Sequence, residues 1–160
     1  MNDSVPMEHE RRFVPDLAAV PMKFSKCPNS DIVQAYLRDG ETRIRMETEN
    51  GSRTYTKTVK RGEGISREEH EVSVTEAEFD LLWDDVEAQL SKRRYRIPWD
   101  GKTFELNIFD GPLTGYVQFE IEFPSEEEAR SYKPPHWVGR EVTDDKRHTN
   151  ASLAKYGIPR

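Results

Sequence analysis

Residues 114–123 read TGYVQFEIEF, and the second half of that stretch decides the fold. Phe119, Ile121 and Phe123 alternate with Glu120 and Glu122. Successive side chains of a strand point to opposite faces, so this strand has one apolar face and one anionic face. The same spacing of charges recurs outward through the chain. Glu8, Glu10 and Arg12 fall two apart in residues 6–14, and Arg43 and Arg45 do so in 41–48. Lys60 lies near the end of 53–61, and Arg67, Glu69 and Glu71 fall in 66–74. Lys92 and Arg94 lie in 91–97, and Glu105 with Asn107 in 102–109. With 31–38, these segments make eight expected strands. Asp39-Gly40, Asn50-Gly51 and Asp100-Gly101 supply two-residue hairpin signals between them. Eight short strands, mostly in meander order, predict an antiparallel sheet or barrel.

Amphipathic strands ordinarily turn charge to solvent and hydrocarbon to the core. That reading predicts mixed charge on the wet face. Here the signs are sorted: two strands carry glutamate pairs, two carry basic pairs, and the first and fifth carry both signs. Like charges two apart on one face repel unless an opposite charge lies between them. A divalent cation would serve the glutamates and an oligophosphate the arginines. A closed barrel with these faces turned inward would hold both, with its apolar outside covered by helices.

Composition agrees. The chain has 160 residues, 34 % of them charged and only 34 % hydrophobic, which is low for a globular domain. Three Trp, six Tyr and seven Phe in patterned segments argue against disorder. A charged interior accounts for the balance. The net charge of −6 argues against broad nucleic-acid binding. No apolar stretch approaches bilayer length, and the opening MNDSVPMEHE lacks the apolar segment of a signal peptide. A cytoplasmic protein is therefore expected. The lone Cys27 reads as a spare thiol in a loop.

Helices are expected at three places. Thr75 with Glu78 forms a capping box, and Phe79, Leu82, Trp83, Val86 and Leu90 follow at helical spacing. Ser125 with Glu128 repeats the box before a short helix through Tyr132, which Pro134-Pro135 stops. The tail from Thr143 to Tyr156, with Gly157 after it, predicts a third helix that would close one end of the tunnel. A short helical turn is expected within 16–26. Parity sends His9 and His70 outward; His136 and His148 read as surface histidines, and Trp83 and Trp99 as packing.

Several blocks, in order, resemble the CYTH superfamily, the triphosphate tunnel metalloenzymes. Glu8-His9-Glu10-Arg11-Arg12-Phe13 resembles that family's E-x-E-x-K opening. Gln34-Ala35-Tyr36-Leu37 with Arg43-Ile44-Arg45, and Thr58-Val59-Lys60 with Ser66-Arg67, Glu69 and Glu71, resemble its next blocks. Lys92 with Arg94, Phe104–Phe109, Phe119–Phe123 and Trp137–Thr143 match the rest, from about residue 7 to residue 154. Three positions depart: Arg12 replaces the usual lysine, Asn107 the usual aspartate, and His148 a frequent tyrosine.

The resemblance implies an α+β fold over residues 1–160: an eight-stranded closed antiparallel β-barrel, a tunnel, with flanking helices. It implies a single domain that binds triphosphate and a divalent metal, magnesium or manganese (Mg2+ or Mn2+). Glu8, Glu10, Glu120 and Glu122 are the expected metal ligands. Glu69 and Glu71 would complete a second site or position the attacking water; ion pairs with tunnel cations are the alternative. Arg43, Arg45, Lys60, Lys92 and Arg94, with Arg12 and Arg67, would grip the phosphate chain. The expected activity is hydrolysis of tripolyphosphate, since the short chain carries no appended domain and no aromatic cluster for an organic group. Class IV adenylate cyclase, thiamine triphosphatase and a non-catalytic polyphosphate- or nucleotide-binding module are the alternatives.

Overall fold

The computed structural model describes residues 5–160; the first four residues of the segment read as lacking a leader lie outside the described residues. Nine strands make one sheet: β1 (Met7–Val14), β2 (Asn29–Leu37), β3 (Thr42–Glu49), β4 (Ser52–Arg61), β5 (Ser66–Ser73), β6 (Val86–Trp99), β7 (Lys102–Phe109), β8 (Val117–Phe123) and β9 (Arg140–Glu141). Their order is β5-β4-β3-β2-β6-β7-β8-β1-β9, and β1 also pairs with β5, which closes eight of them into an antiparallel barrel. Two hairpin runs, β2 to β5 and β6 to β8, are joined by β2 on β6 and by β1 between β8 and β5. The N-terminal half of β1 pairs with β5 (Glu8 opposite Arg67), and its far end pairs with β9 (Phe13 opposite Glu141).

Turn chemistry explains the hairpins. Asn50-Gly51 and Asp100-Gly101 both have positive φ at each residue, the left-handed pair that such tight turns need. Asp39-Gly40 differs, because only Gly40 is left-handed and four residues separate β2 from β3. There the Asp39 carboxylate accepts from the backbone N–H of Glu41 and of Thr42, each at 2.9 Å, and supports a longer loop.

The helices are shorter than expected. Helix α1 (Glu76–Trp83) begins on the complete capping box of Thr75 and Glu78. It stops before Asp84 and Asp85, acids that a helix C-terminus disfavours. Val86 and Leu90 then belong to β6, where Val86, Ala88 and Leu90 satisfy a period of two as well as they satisfy the helical one. Helix α2 (Glu126–Ser131) is capped by Ser125. Helix α3 covers only Asn150–Tyr156, since Thr149 is extended and caps it, with a 3-10 turn at Lys146–His148 ahead of it. Residues 17–19 and 24–26 are short 3-10 turns. Among the described residues, no helix is long and apolar enough to cross a membrane.

The apolar faces of the strands point out and are covered. Phe104, Phe119, Ile121 and Phe123 pack with Ala129 of α2 and with Trp137. Ala35, Leu37 and Ile44 pack with Phe79 of α1. A third cluster lies at one end of the barrel. Leu90 and Phe109 sit on the inward face, opposite Gln34 and Lys92 respectively, and Leu153 of α3 seats against them with Leu113 and Tyr116. α3 therefore stops that end. Each such side chain removed from water contributes about 1.5–3 kcal/mol.

Candidate functional site

Residues directly opposite one another in adjacent strands share a face. Around the inside of the barrel this places Arg12 opposite Glu120, Glu10 opposite Glu122, Glu105 opposite Glu120, and Arg94 opposite Asn107. It also places Lys60 opposite Glu69 and Thr58 opposite Glu71. The charged faces enclose a cavity of about 350 Å³, within the range of small-molecule sites. Twelve of the thirteen expected site residues line it; Lys92 alone does not. A second recess, beside the turn between β6 and β7, shares Arg94 and Glu122 with the first.

The carboxylates divide into two groups. Glu8, Glu10 and Glu122 each offer an oxygen, and the three oxygens lie within 4.8 Å of one another. Glu8 Oε1 accepts from Lys60 Nζ at 2.9 Å and from Arg67 Nη2 at 2.8 Å, while its buried Oε2 has no hydrogen-bond partner. Burial raises the pKa of Glu8 and of Glu10, and the charge of Glu120 adds to the rise at Glu10. Glu122 is pushed up to about 7 by loss of water and then by Glu10, Glu105 and Glu8. Carboxylates held in this way attract a cation, and an orphaned oxygen beside two more fits a hard divalent ion. Glu120 is placed elsewhere. Arg94 Nη2 lies 2.9 Å from its Oε2 and Lys92 Nζ 4.0 Å from its Oε1. Burial raises its pKa, but Lys92 and Arg94, with Lys60 and Arg45 beyond them, together outweigh burial and hold it well below the usual range.

Glu69 and Glu71 face tunnel cations: Glu69 lies 3.6 Å from Lys60, and Glu71 3.4 Å from Arg43. Glu71 also accepts from the Thr58 hydroxyl at 2.7 Å. These are the ion-pair contacts of the alternative weighed for them.

Lys60 and Arg67 sit on Glu8, and Arg45 and Arg43 lie apart from that cluster. Arg45 gives Nε and Nη2 to the neutral Gln34 Oε1, at 3.2 and 2.9 Å, so no carboxylate cancels its charge there. Burial, then Arg43 and Arg94, push its pKa down to about 10. Arg43 and Arg12 each keep a buried, unpartnered Nε. Arg12 also donates from Nη2 to the Thr143 carbonyl at 3.0 Å. Arg43 and Arg12 have carboxylates at 3.4 Å (Glu71) and 4.0 Å (Glu10), yet with Arg45 they leave donors free for phosphate oxygens.

Several residues without an expected role join the site. Gln34 and Glu105 share parity with the inward charges; Glu105 lies 3.1 Å from Arg94 Nη1. Asn150, at the start of α3, reaches Lys92, Gln34 and Glu120, and no strand alternation marks it. His148 corrects an expectation. It is buried, not a surface residue, because the Tyr116 hydroxyl bonds its Nδ1 at 2.7 Å beneath α3. His136 is exposed, and His9 and His70 stand off the inward face, His9 on Ser66 and His70 near Glu68.

No family model matches the chain. It is 36 % identical over 156 residues to an inorganic triphosphatase of Nitrosomonas europaea, covering 92 % of this chain and 96 % of that one. It is 37 % identical over 120 residues to an inorganic triphosphatase of Acetivibrio thermocellus, covering 74 % of each. The crystal structure of an inorganic triphosphatase superposes with a TM-score of 0.63 at 32 % identity, over 96 % of this chain and 97 % of the other. A Pyrococcus horikoshii protein shares the fold at a TM-score of 0.58 and 21 % identity, over 77 % of this chain and 82 % of that one.

Proposed function

The chain belongs to the inorganic triphosphatases, and from that premise we propose that it hydrolyses tripolyphosphate to pyrophosphate and phosphate with a divalent metal, Mg2+ or Mn2+. The finer placement in the CYTH superfamily, read from the ordered sequence blocks, is part of the same proposal. The observation that carries it is one cavity lined both by three clustered carboxylates and by arginines with free donors, Arg45 among them with no carboxylate partner.

Glu8, Glu10 and Glu122 would hold the ion. A divalent ion there supplies charge neutralisation to the phosphate oxygens and acidifies water. Arg43, Arg45, Lys60 and Arg94 grip the phosphate chain, and Arg12 and Arg67 flank it. Glu69 and Glu71 keep Lys60 and Arg43 aimed, and Glu120 does so for Arg94. Water attacks the terminal phosphorus in line with the bridging oxygen, whose bond to that phosphorus breaks. Little covalent chemistry falls to the protein, so its contribution is alignment and charge stabilisation of the transferring group.

The test is phosphate release from tripolyphosphate, ATP, thiamine triphosphate and pyrophosphate, each with Mg2+, with Mn2+ and with chelator. Metal-dependent release, fastest from tripolyphosphate, is expected. Faster release from ATP or thiamine triphosphate would overturn the substrate, unchanged release in chelator would overturn the metal, and tight binding without release would favour a binding module.

A further inference from the structure

The amide of Asn150 has its orientation fixed by groups that can only donate from the atoms they present. Its Oδ1 accepts from Lys92 Nζ at 2.9 Å and from Gln34 Nε2 at 3.3 Å. Gln34 is oriented in turn, because its Oε1 takes both Nε and Nη2 of Arg45. A guanidinium has no acceptor, so Gln34 cannot flip without facing donor to donor, and its Nε2 in turn holds Asn150 Oδ1 as the acceptor. Asn150 Nδ2 is thereby turned away from Lys92. Its contact there is a long one, 3.4 Å to Glu120 Oε1, on a carboxylate already engaged by Arg94 at 2.9 Å. Asn150 lines the cavity, whereas Lys92 is 2 % exposed and sits behind it.

We propose that Asn150 is a substrate-binding residue, whose Nδ2–H donates to a phosphate oxygen while its Oδ1 is held by Lys92 and Gln34. An amide that accepts from an ammonium is polarised and becomes a stronger donor at its other end. The chain thus places a neutral, fixed donor where a lysine would pair with Glu120 or be pulled to solvent. Lys92 acts through Asn150 and not by direct grip. The inference rests on the tripolyphosphate reading above.

The experiment measures KM and kcat for tripolyphosphate, with thermal melting, for the full chain and for Asn150→Asp and Asn150→Ala. Aspartate keeps the size and both contacts to Oδ1 but offers no donor and turns a charge toward the phosphate and toward Glu120, 3.4 Å from the replaced nitrogen. Alanine removes the contacts, and Leu153 still anchors the helix. The expected result is about a tenfold rise in KM for Asn150→Ala and a larger rise for Asn150→Asp, with melting used only to confirm that both variants are folded. A residue that merely filled space or held Lys92 would leave the KM of Asn150→Ala near that of the unaltered chain once the variant is folded. A wild-type KM in Asn150→Ala, or a KM in Asn150→Asp at or below that of Asn150→Ala, overturns the inference while leaving the substrate reading intact. Failure of the unaltered chain to hydrolyse tripolyphosphate removes both.

Discussion

Arg94 and Glu120 form an ion pair inside the barrel, Nη2 to Oε2 at 2.9 Å, with the two residues 7 % and 5 % exposed. Two buried charges of this kind hold one another's protonation: Glu120 sits well below the usual carboxylate range, and Arg94 well above the usual guanidinium value despite burial. Removing one partner strands the other. Glu120→Gln keeps the shape and an acceptor but leaves Lys92 without its countercharge and Arg94 with Glu105 alone, so we expect a stability loss of about 3 kcal/mol. We also expect turnover to fall roughly a hundredfold, because the cations lose their aim at the phosphate. Urea unfolding and phosphate release check the two parts separately; unchanged turnover in a folded variant removes Glu120 from the site.

Glu122 sets a pH dependence. Its pKa in the folded, metal-free chain is about 7 against an ordinary value of 4.5. The folded state therefore holds a proton that the unfolded state has released between those two values. The contribution of Glu122 to metal-free stability should fall as pH rises from 4.5 to about 7 and level off above it, so the difference between the unaltered chain and Glu122→Gln isolates it. An ion bound there must displace that proton, so its affinity should weaken about tenfold per unit below pH 7. Calorimetric titration with Mn2+ in buffers of different ionisation enthalpy measures the proton released. Affinity independent of pH between about 5.5 and 7 would contradict the assignment of Glu122, and Glu122→Gln should flatten the slope.

Much of this was legible in residues 119–123 and 8–12, where a period of two separates an apolar outside from a charged inside. Parity names the face that a side chain takes but not what lies across the barrel from it. Glu120 and Glu122 are indistinguishable by parity, yet one meets Arg94 across β7 and the other meets Glu8 and Glu10, because the register of β8 on β1 sets Glu122 opposite Glu10. The end of α1 was ambiguous for a different reason: Val86 and Leu90 suit both periods, and pairing with β2 and β7 decides between them. Asn150 and His148 carry no local signal. Their burial depends on where a seven-residue tail helix docks, which is a long-range packing outcome.

That docking can be tested through Leu153, which is 1 % exposed and packed on Leu90, Phe109, Leu113 and Tyr116. Leu153→Ala leaves a cavity at the stopped end of the barrel and should cost about 2–4 kcal/mol. Because α3 carries Asn150, the loosened helix should also raise KM for tripolyphosphate with little change in kcat. A variant with the stability loss but an unchanged KM would show that the helix end does not contribute to the site.

Gly139 couples the far end of β1 to the same site. Its φ is +87°, and a Cβ there would lie 2.1 Å from the Val14 carbonyl oxygen and 2.6 Å from Pro15 Cα. Both are backbone atoms that cannot swing aside, so Gly139→Ala must push β9 off β1. The cost combines a left-handed conformation with a backbone clash, about 3 kcal/mol or more. The loss would reach Arg12, whose carbonyl accepts from Val142 N at 2.8 Å and whose N–H donates to Thr143 Oγ1 at 3.0 Å. Hydrogen exchange should therefore show the Val142 amide unprotected in Gly139→Ala, with weakened tripolyphosphate binding beside it. If that amide stays protected and the melting temperature holds, the close approach of residues 139 and 14 is not what fixes Arg12.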